Sequence, residues 1–469
     1  MRIFGILLLL LGICSPLRAQ QNGLSSEQIR QIDALFARWD RSDGPGLALA
    51  VLQQGVVRYQ RGYGMANLEY GVPITDSTRF VLASVSKQFT AFAVHLLVRE
   101  GRIDLDADIR QYIPELPDLG ARITPRDLLH HTSGLRESLD LVRLAGWRPE
   151  DVLTMEDVLR LAYRQRALNF PPGSEYSYCN LGYVLLAELV RRTSGQPFSV
   201  FARERIFAPL GMKDTFFHDD YRMIVPLRAE SYRRAGSAWV KVYYPYGTVG
   251  SGGLVSTLRD LIIWERFFRE PPAGFRELIE AMQQPGRLRD GRELAYGSGL
   301  MLGRYRGLRA VWHTGSIAAY RTVLFRLPEA GFSVILLANT AEVNTLTLAQ
   351  RVADIVLSDR FPEPIPARAE SASEAPPNPS PPARAPEQLP PYEGLYYSSE
   401  LEVFYRIRLE GDSLRLYHPR EVWTLQPLGE GRFRIPVGVV RFVPHSSPME
   451  LFIDTGRSRN IRFQRVELR

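Results

Sequence analysis

Apolar residues repeat along this chain with two different periods, and the switch between them outlines the architecture. A run over residues 47–53 and a second over 56–62, separated by Gln54-Gly55, predict two strands joined by a tight turn. Strand patterns return at 299–304, 320–327 and 332–339. Between these sets the spacing is helical. Phe89, Phe92, Ala93, Leu96 and Leu97 make one stripe ending at Gly101, and Leu181, Val184, Leu185 and Leu189 make another ending at Gly195. Thr257 and Asp260 form a capping pair that opens a third helix. A helix near 26–39 precedes the first strand, and one near 346–357 follows the last. This order predicts an α+β fold: an antiparallel sheet flanked by helices, with an inserted helical region.

Past residue 360 the pattern changes. Proline, alanine, serine and glutamate dominate 361–391, which reads as a semi-extended linker without material for a core. Short alternating runs follow at 401–409, 413–417, 422–427, 433–437, 440–443, 451–453 and 461–466, and they predict a small closed β-barrel. At the other end, Arg2 precedes an apolar run over 3–13 and then Ser15-Pro16-Leu17-Arg18-Ala19, the pattern of a signal peptide too short to span a bilayer. Lipid attachment at Cys14 is the alternative. The expected organisation is a signal peptide at 1–19, a first domain at 20–360, a linker at 361–391 and a barrel domain at 392–469, in an exported, periplasmic or secreted protein. Once the leader is removed Cys179 is the sole cysteine, which excludes an intrachain disulfide.

Composition narrows the function classes. A 45% hydrophobic and 23% charged chain of 469 residues can bury a large core. The net charge of +7 comes from arginines spread along the whole length, so no basic block marks a nucleic-acid site. Attraction to anionic cell-wall or membrane surfaces is the milder implication. Neither a phosphate-binding loop nor a dinucleotide fingerprint occurs, and Gly-x-Ser-x-Gly is absent, which argues against an α/β-hydrolase. No cofactor and no metal are expected.

The chemistry begins with a scarcity. Of 58 basic residues only Lys87, Lys213 and Lys241 are lysines. A guanidinium cannot be deprotonated in a protein, whereas a desolvated ammonium can lose its proton and act as a base. Ser84 and Lys87, three apart at the start of a helix, share a face and can form a nucleophile with its own base. Downstream, a phenol at Tyr178 can relay a proton, and the Asn180 amide can hold both a lysine and a substrate carbonyl. Taken without Ser84, Tyr178 reads rather as a packed aromatic and Asn180 as a helix cap. His313-Thr314-Gly315-Ser316 follows, where Gly315 would let a substrate backbone approach an edge strand and the Ser316 amide could join that of Ser84 in an oxyanion site. Gly250-Ser251-Gly252-Gly253 adds a glycine-rich loop. The remaining polar clusters have blander readings: His130 and His131 as a brace for the catalytic helix, His218-Asp219-Asp220 as a solvated loop, and Cys179 as a packed thiol.

Together Ser84-Val85-Ser86-Lys87, the segment 123–135, Tyr178-Cys179-Asn180 and His313-Thr314-Gly315 resemble the serine β-lactamase and penicillin-binding-protein-like hydrolases, in the branch of class C β-lactamases, D,D-peptidases and esterases. The likeness spans most of 26–358. It implies Ser84 as acylated nucleophile, Lys87 as base, Tyr178 as relay, Asn180 as hydrogen-bonding support, and His313, Thr314, Gly315 and Ser316 as the substrate-binding and oxyanion edge. It also implies a cleft between sheet and helical region, with small-molecule or peptide substrates, cell-wall-derived ones among them. The chain departs where β-lactamases usually carry Lys-Thr-Gly. His313 is at most about half protonated at neutral pH, which weakens attraction for a β-lactam carboxylate and favours esters, amides or peptides. The barrel resembles the lipocalin-like modules of some relatives. Two other classes stay open: a catalytically inactive sensor of the same fold, and a carbohydrate- or lipid-binding protein in which the barrel does the work.

Overall fold

The computed structural model describes residues 23–362, 389–444 and 446–467. The expected signal peptide at 1–19 and most of the linker at 361–391 lie outside them. Six strands form one antiparallel sheet: β1 Leu47–Gln53, β2 Val56–Tyr63, β3 Met301–Tyr305, β4 Leu308–Ile317, β5 Tyr320–Leu327 and β6 Phe332–Ala338, in the order β3-β4-β5-β6-β1-β2. The register Leu47↔Ala338 through Gln53↔Phe332 joins β1 to β6 in the middle of the sheet.

The continuous apolar strands follow from burial on both faces. Leu47, Leu49 and Val51 pack with Ile32 and Phe36 of helix α1 (Ser26–Phe36), beneath the layer that includes the last helix of the domain, Thr345–Val356. Ala48, Ala50 and Leu52 face the other way, toward α2 (Lys87–Arg99), α3 (Asn180–Ser194) and α4 (Leu258–Arg269). A capping box between Ser25 and Gln28 starts α1, and Thr257 caps α4 by accepting from the Asp260 amide. Phe89 and Phe92 of α2 pack on Trp264 of α4 with ring centroids 4.4 and 5.4 Å apart.

A buried polar junction ties these helices to the sheet. Arg326 of β5 donates from Nε to Glu265 Oε2 (3.0 Å) and from Nη2 to Glu265 Oε1 (2.6 Å) and Gln88 Oε1 (2.9 Å). The Trp264 indole donates to the same Gln88 oxygen at 2.8 Å. Gln88 follows Lys87, so the junction pins the first turn of α2.

Within the six-stranded sheet, β4 is the strand that the apolar pattern does not delimit. Strand β4 is continuous from Leu308 to Ile317 although its second half reads His-Thr-Gly-Ser, because backbone pairing with β5 holds it where side-chain hydrophobicity does not. The C-terminal module is a closed eight-stranded barrel from Gly394–Ser398 to Ile461–Val466. The pattern had indicated seven runs. The missing strand, Gly394–Ser398, is the one that closes the barrel against Ile461–Val466. Inward-facing Tyr396, Tyr405, Trp423, Phe433 and Phe463 are buried, and Tyr405 stacks on Phe463 at 4.4 Å. The barrel centre is a packed core.

The barrel docks on the inserted region. Arg136 forms a buried pair with Glu400 and donates from Nη2 to Asn460 O at 2.9 Å. The Tyr405 hydroxyl donates to Leu144 O at 2.6 Å, and Asn169 exchanges hydrogen bonds with Arg457 O and Arg459 N at 2.9 and 2.7 Å.

Candidate active site

Ser84 lies in a 3-10 turn, Ala83–Ser86, that runs directly into α2. Ala83 adopts a left-handed conformation at φ 50°, costing about 1–3 kcal/mol. The Leu82 amide bond to Leu254 O (2.8 Å) and the Ser86 hydroxyl bond to Ala83 O (2.6 Å) hold that turn. Ser86 is thereby turned inward and used, whereas Ser84 keeps some exposure. Gly315 belongs to the same construction. A Cβ there would stand 2.2 Å from Leu82 O and from Thr322 Oγ1, so its bare backbone lets β4 lie against the turn that carries Ser84. Close packing within the protein therefore accounts for this glycine, rather than approach of a substrate backbone. The strand is edge-like here nonetheless, because the ladder to β3 ends at Met301↔Trp312.

Lys87 is fully buried and donates three hydrogen bonds: to Ser84 Oγ at 3.1 Å, Asn180 Oδ1 at 2.8 Å and Ser251 O at 2.7 Å. All three acceptors are neutral. Burial without a direct carboxylate partner brings the ammonium down to about pKa 7, with Glu137 opposing and Arg457 assisting. The amine also lies 4.9 Å from the centroid of the Tyr178 ring and 5.5 Å from that of Tyr183. Burial pushes the Tyr178 phenol far above its ordinary value, and its contact with Ser84 only partly offsets this. Tyr178 thus keeps its proton, and of the pair Lys87 is the group that empties near neutrality.

Asn180 is the first residue of α3 and not its cap; Cys179 occupies that position without a side-chain cap bond. The Asn180 amide instead bridges Lys87 and Glu137, giving Nδ2 to Glu137 Oε1 at 2.8 Å, while its backbone amide donates to Glu137 Oε2 at 2.6 Å. Cys179 is buried against the Leu135 and Arg136 carbonyls, and burial raises its thiol to about 12, so it offers no thiolate.

The third motif divides by strand alternation. Ser316 lines, with Ser84 and Asn180, a cavity of about 60 Å³ whose other walls include Leu139, Tyr244 and Tyr246. His313 points elsewhere. Its Nδ1 lies 2.7 Å from Thr314 O and its Nε2 3.0 Å from the Tyr296 hydroxyl. A carbonyl only accepts, so the proton sits on Nδ1 and Nε2 accepts from Tyr296. Burial, with Lys87 nearby, lowers this imidazole to about 3. His313 is therefore neutral, and the expectation of a partly charged ring offered to substrate is corrected.

Two other histidine readings change. His131, left-handed at φ 59°, accepts the Cys179 amide on Nδ1 at 3.1 Å and packs on Tyr178 with centroids 4.2 Å apart. It braces the Tyr178 segment rather than the catalytic helix. His218 is buried, its amide donating to Gly253 O at 2.8 Å, so only its acidic neighbours extend that segment toward solvent. Among the described residues no cluster of His, Cys, Asp or Glu has the makings of a metal site. A larger cavity of about 510 Å³, beside Arg326 and Glu265, holds none of the motif residues.

Sequence reasoning missed Glu137, Tyr183, Ser251 O and Arg457. Only Ser251 had a signal, the glycine-rich loop. There, a Cβ on Gly250 would stand 2.2 Å from Tyr183 O, so the glycine lets the loop close on α3.

The profile of the Beta-lactamase family matches residues 32–357, which contain every motif residue just described. The chain belongs to that family. A D-aminopeptidase of Brucella anthropi is 32% identical over 302 residues, 63% of this chain and 56% of the relative. A D-aminopeptidase of Gluconobacter oxydans is 29% identical over 322 residues, 69% of this chain and 60% of its own. The chain thus spans less than two thirds of the length of these relatives. Among solved structures, the D-amino acid amidase of Ochrobactrum anthropi SV3 is 26% identical with a TM-score of 0.60, covering 71% of this chain and 100% of its own. The octameric penicillin-binding protein homologue of Pyrococcus abyssi is 23% identical with a TM-score of 0.61 over 93% of this chain and 99% of its own, a likeness of fold. No helix among the described residues is long and apolar enough to cross a membrane.

Proposed function

We propose that this protein is an exported serine hydrolase that forms an acyl-enzyme on Ser84 and cleaves small amides, esters or peptides. D-amino-acid amides head the candidate substrates. The carrying observation is the fully buried Lys87 amine 3.1 Å from Ser84 Oγ, with only neutral acceptors around it. At neutral pH about half of these amines are free to accept the serine proton. Ser84 Oγ then bonds to the substrate carbonyl carbon while the carbonyl electron pair moves onto oxygen, toward the amides of Ser84 and Ser316. Collapse breaks the bond to the leaving nitrogen or oxygen, which takes a proton from the Tyr178 phenol; Lys87 restores that proton. Water repeats the cycle on the acyl-enzyme.

The substrate class follows from what lines the site. Neutral His313 supplies no fixed cation for a carboxylate, and the small cavity is walled by Leu139, Tyr244 and Tyr246. The D-aminopeptidase relatives and the D-amino acid amidase support D-aminoacyl groups on an amine leaving group. Export is supported by the apolar run 3–13 and the Ser15 to Ala19 segment behind it. The test compares D-amino-acid amides, short-chain p-nitrophenyl esters and nitrocefin on one preparation, together with the intact mass after a fluorophosphonate probe. Amide or ester turnover with one probe adduct at Ser84 is expected. Labelling without turnover would make the protein an acyl-trapping sensor, and absence of both would end the proposal.

A further inference from the structure

The barrel reaches the reacting groups through one side chain. Arg457 sits in the turn between the last two barrel strands, Glu450–Thr455 and Ile461–Val466. Its Nη1 is 3.7 Å from Glu137 Oε2 and donates to Tyr178 O at 3.4 Å, and its guanidinium stands 5.8 Å from the centroid of the Tyr178 ring. The next residue takes hold of the same glutamate, Ser458 Oγ accepting from Glu137 N at 3.0 Å. Thr455 Oγ1 fixes the turn by accepting from Ser458 N at 2.9 Å, and Asn169 donates to Arg457 O at 2.9 Å. A continuous chain results: Arg457 to Glu137, Glu137 to the Asn180 amide, and Asn180 Oδ1 to Lys87 Nζ.

The charges in that chain alternate in sign. Glu137 is wholly buried and is the carboxylate that acts on Lys87, so alone it would hold the lysine protonated and unable to take the serine proton. The other titratable groups around Lys87 are neutral at pH 7: burial keeps Tyr178, Tyr183 and Cys179 protonated and His131 and His313 deprotonated. Among the described residues Arg457 is the fixed cation that acts on this amine, and it faces the glutamate from the opposite side.

We infer that Arg457, delivered by the barrel, is a positioning residue of the hydrolase site: it neutralises Glu137, holds the Asn180 bridge, and keeps Lys87 free to act as base. The barrel is thereby part of the catalytic unit. This inference rests on Lys87 being the base. A fixed positive charge two groups away is worth about 0.5–1 pH unit at this depth, and its loss leaves fewer lysines unprotonated at neutral pH.

The experiment follows kcat/KM against pH, from 5 to 10, on a neutral p-nitrophenyl ester and on a carboxylate-bearing ester. It uses the full chain and its Arg457→Gln, Arg457→Met and Arg457→Lys variants, each with its thermal melt. In the two neutral variants the acid limb should rise by about 0.5–1 unit, cutting the rate at pH 7 about two- to fivefold on both substrates, while Arg457→Lys keeps the limb near its original place. Arg457 is a third exposed and lies outside the barrel core, so either neutral variant that melts like the parent suffices. Three results would overturn the inference: an unmoved limb, an equal shift in Arg457→Lys, or a change confined to KM for the carboxylate substrate. Activity retained in Lys87→Arg would instead remove the base on which the inference stands, and that outcome is separable from the other three.

Discussion

Two buried cations meet neighbouring residues of one helical turn and are satisfied in opposite ways. Arg326, which holds Gln88, is clasped by the Glu265 carboxylate through two hydrogen bonds. Lys87 touches only neutral oxygens, with its nearest carboxylate screened behind an amide. A paired guanidinium is fixed in charge and geometry, and therefore holds structure; an unpaired, desolvated amine is free to change its charge, and therefore does chemistry. Placing them side by side lets the rigid pair hold still the turn on which the labile one works.

Breaking the labile side has the largest effect. Lys87→Arg keeps a positive charge but cannot accept a proton, so turnover should fall by about 10²–10⁴, nearly as far as in Lys87→Ala. Single-turnover acylation measures this. A substantial residual rate in Lys87→Arg would make Lys87 an electrostatic residue. Ser84→Ala should abolish probe labelling while Ser86→Ala, whose hydroxyl holds the turn, should retain it.

Breaking the rigid side should cost stability and spare the chemistry. Arg326→Met leaves Glu265 buried without its partner, at about 3–5 kcal/mol, read from urea or thermal unfolding. Turnover per folded molecule should persist. If the variant unfolds like the parent, the junction contributes nothing and the comparison fails on its structural half.

How much of this contrast was legible follows from the distances in sequence. Ser84 and Lys87 are one helical turn apart, so local periodicity brought them together, and Tyr178 and Asn180 were found because their helix announced its own start. The α+β order and the barrel were visible for the same reason: apolar alternation is a local signal. Glu137 and Arg457 were not, because each acts by tertiary contact alone; Arg457 meets Tyr178 across 279 residues. Strand β4 was legible as an edge at Gly315, but its polar motif concealed its full extent from Leu308 to Ile317. His313 was seen but its charge state was not, since burial against Tyr296 decides it and no spacing encodes burial.

A third way to sharpen the comparison is pH. In the proposed mechanism Lys87 works only when unprotonated, so kcat/KM on a neutral ester should rise tenfold per pH unit below about 7 and level off above it. Tyr178 must stay protonated and lies far above its ordinary value, so no falling limb should come from it before pH 10. A bell that turns down near pH 8 would mean that the phenol ionises and that burial does not govern the site.

The smallest effect expected is one of absence. If His313 carried charge, carboxylate-bearing substrates would gain on neutral ones as the pH fell. With the ring lowered to about 3 and its Nε2 occupied by the Tyr296 hydroxyl, it stays neutral from pH 5 upward. Arg457 keeps its charge throughout, and the protonation of Lys87 affects both substrate classes alike. The ratio of the two rates should therefore drift by less than about twofold between pH 5 and 9, once the carboxylate itself is ionised. Replacing the ring by His313→Lys would put a second amine in the same desolvated pocket as Lys87, where the mutual repulsion favours a neutral side chain, so no new carboxylate preference should follow. A ratio that climbs steadily toward acid pH would mean that the ring turns toward substrate and titrates there. The third motif would then belong with Lys87, among the groups that change charge, and the contrast drawn from Arg326 would have to include it.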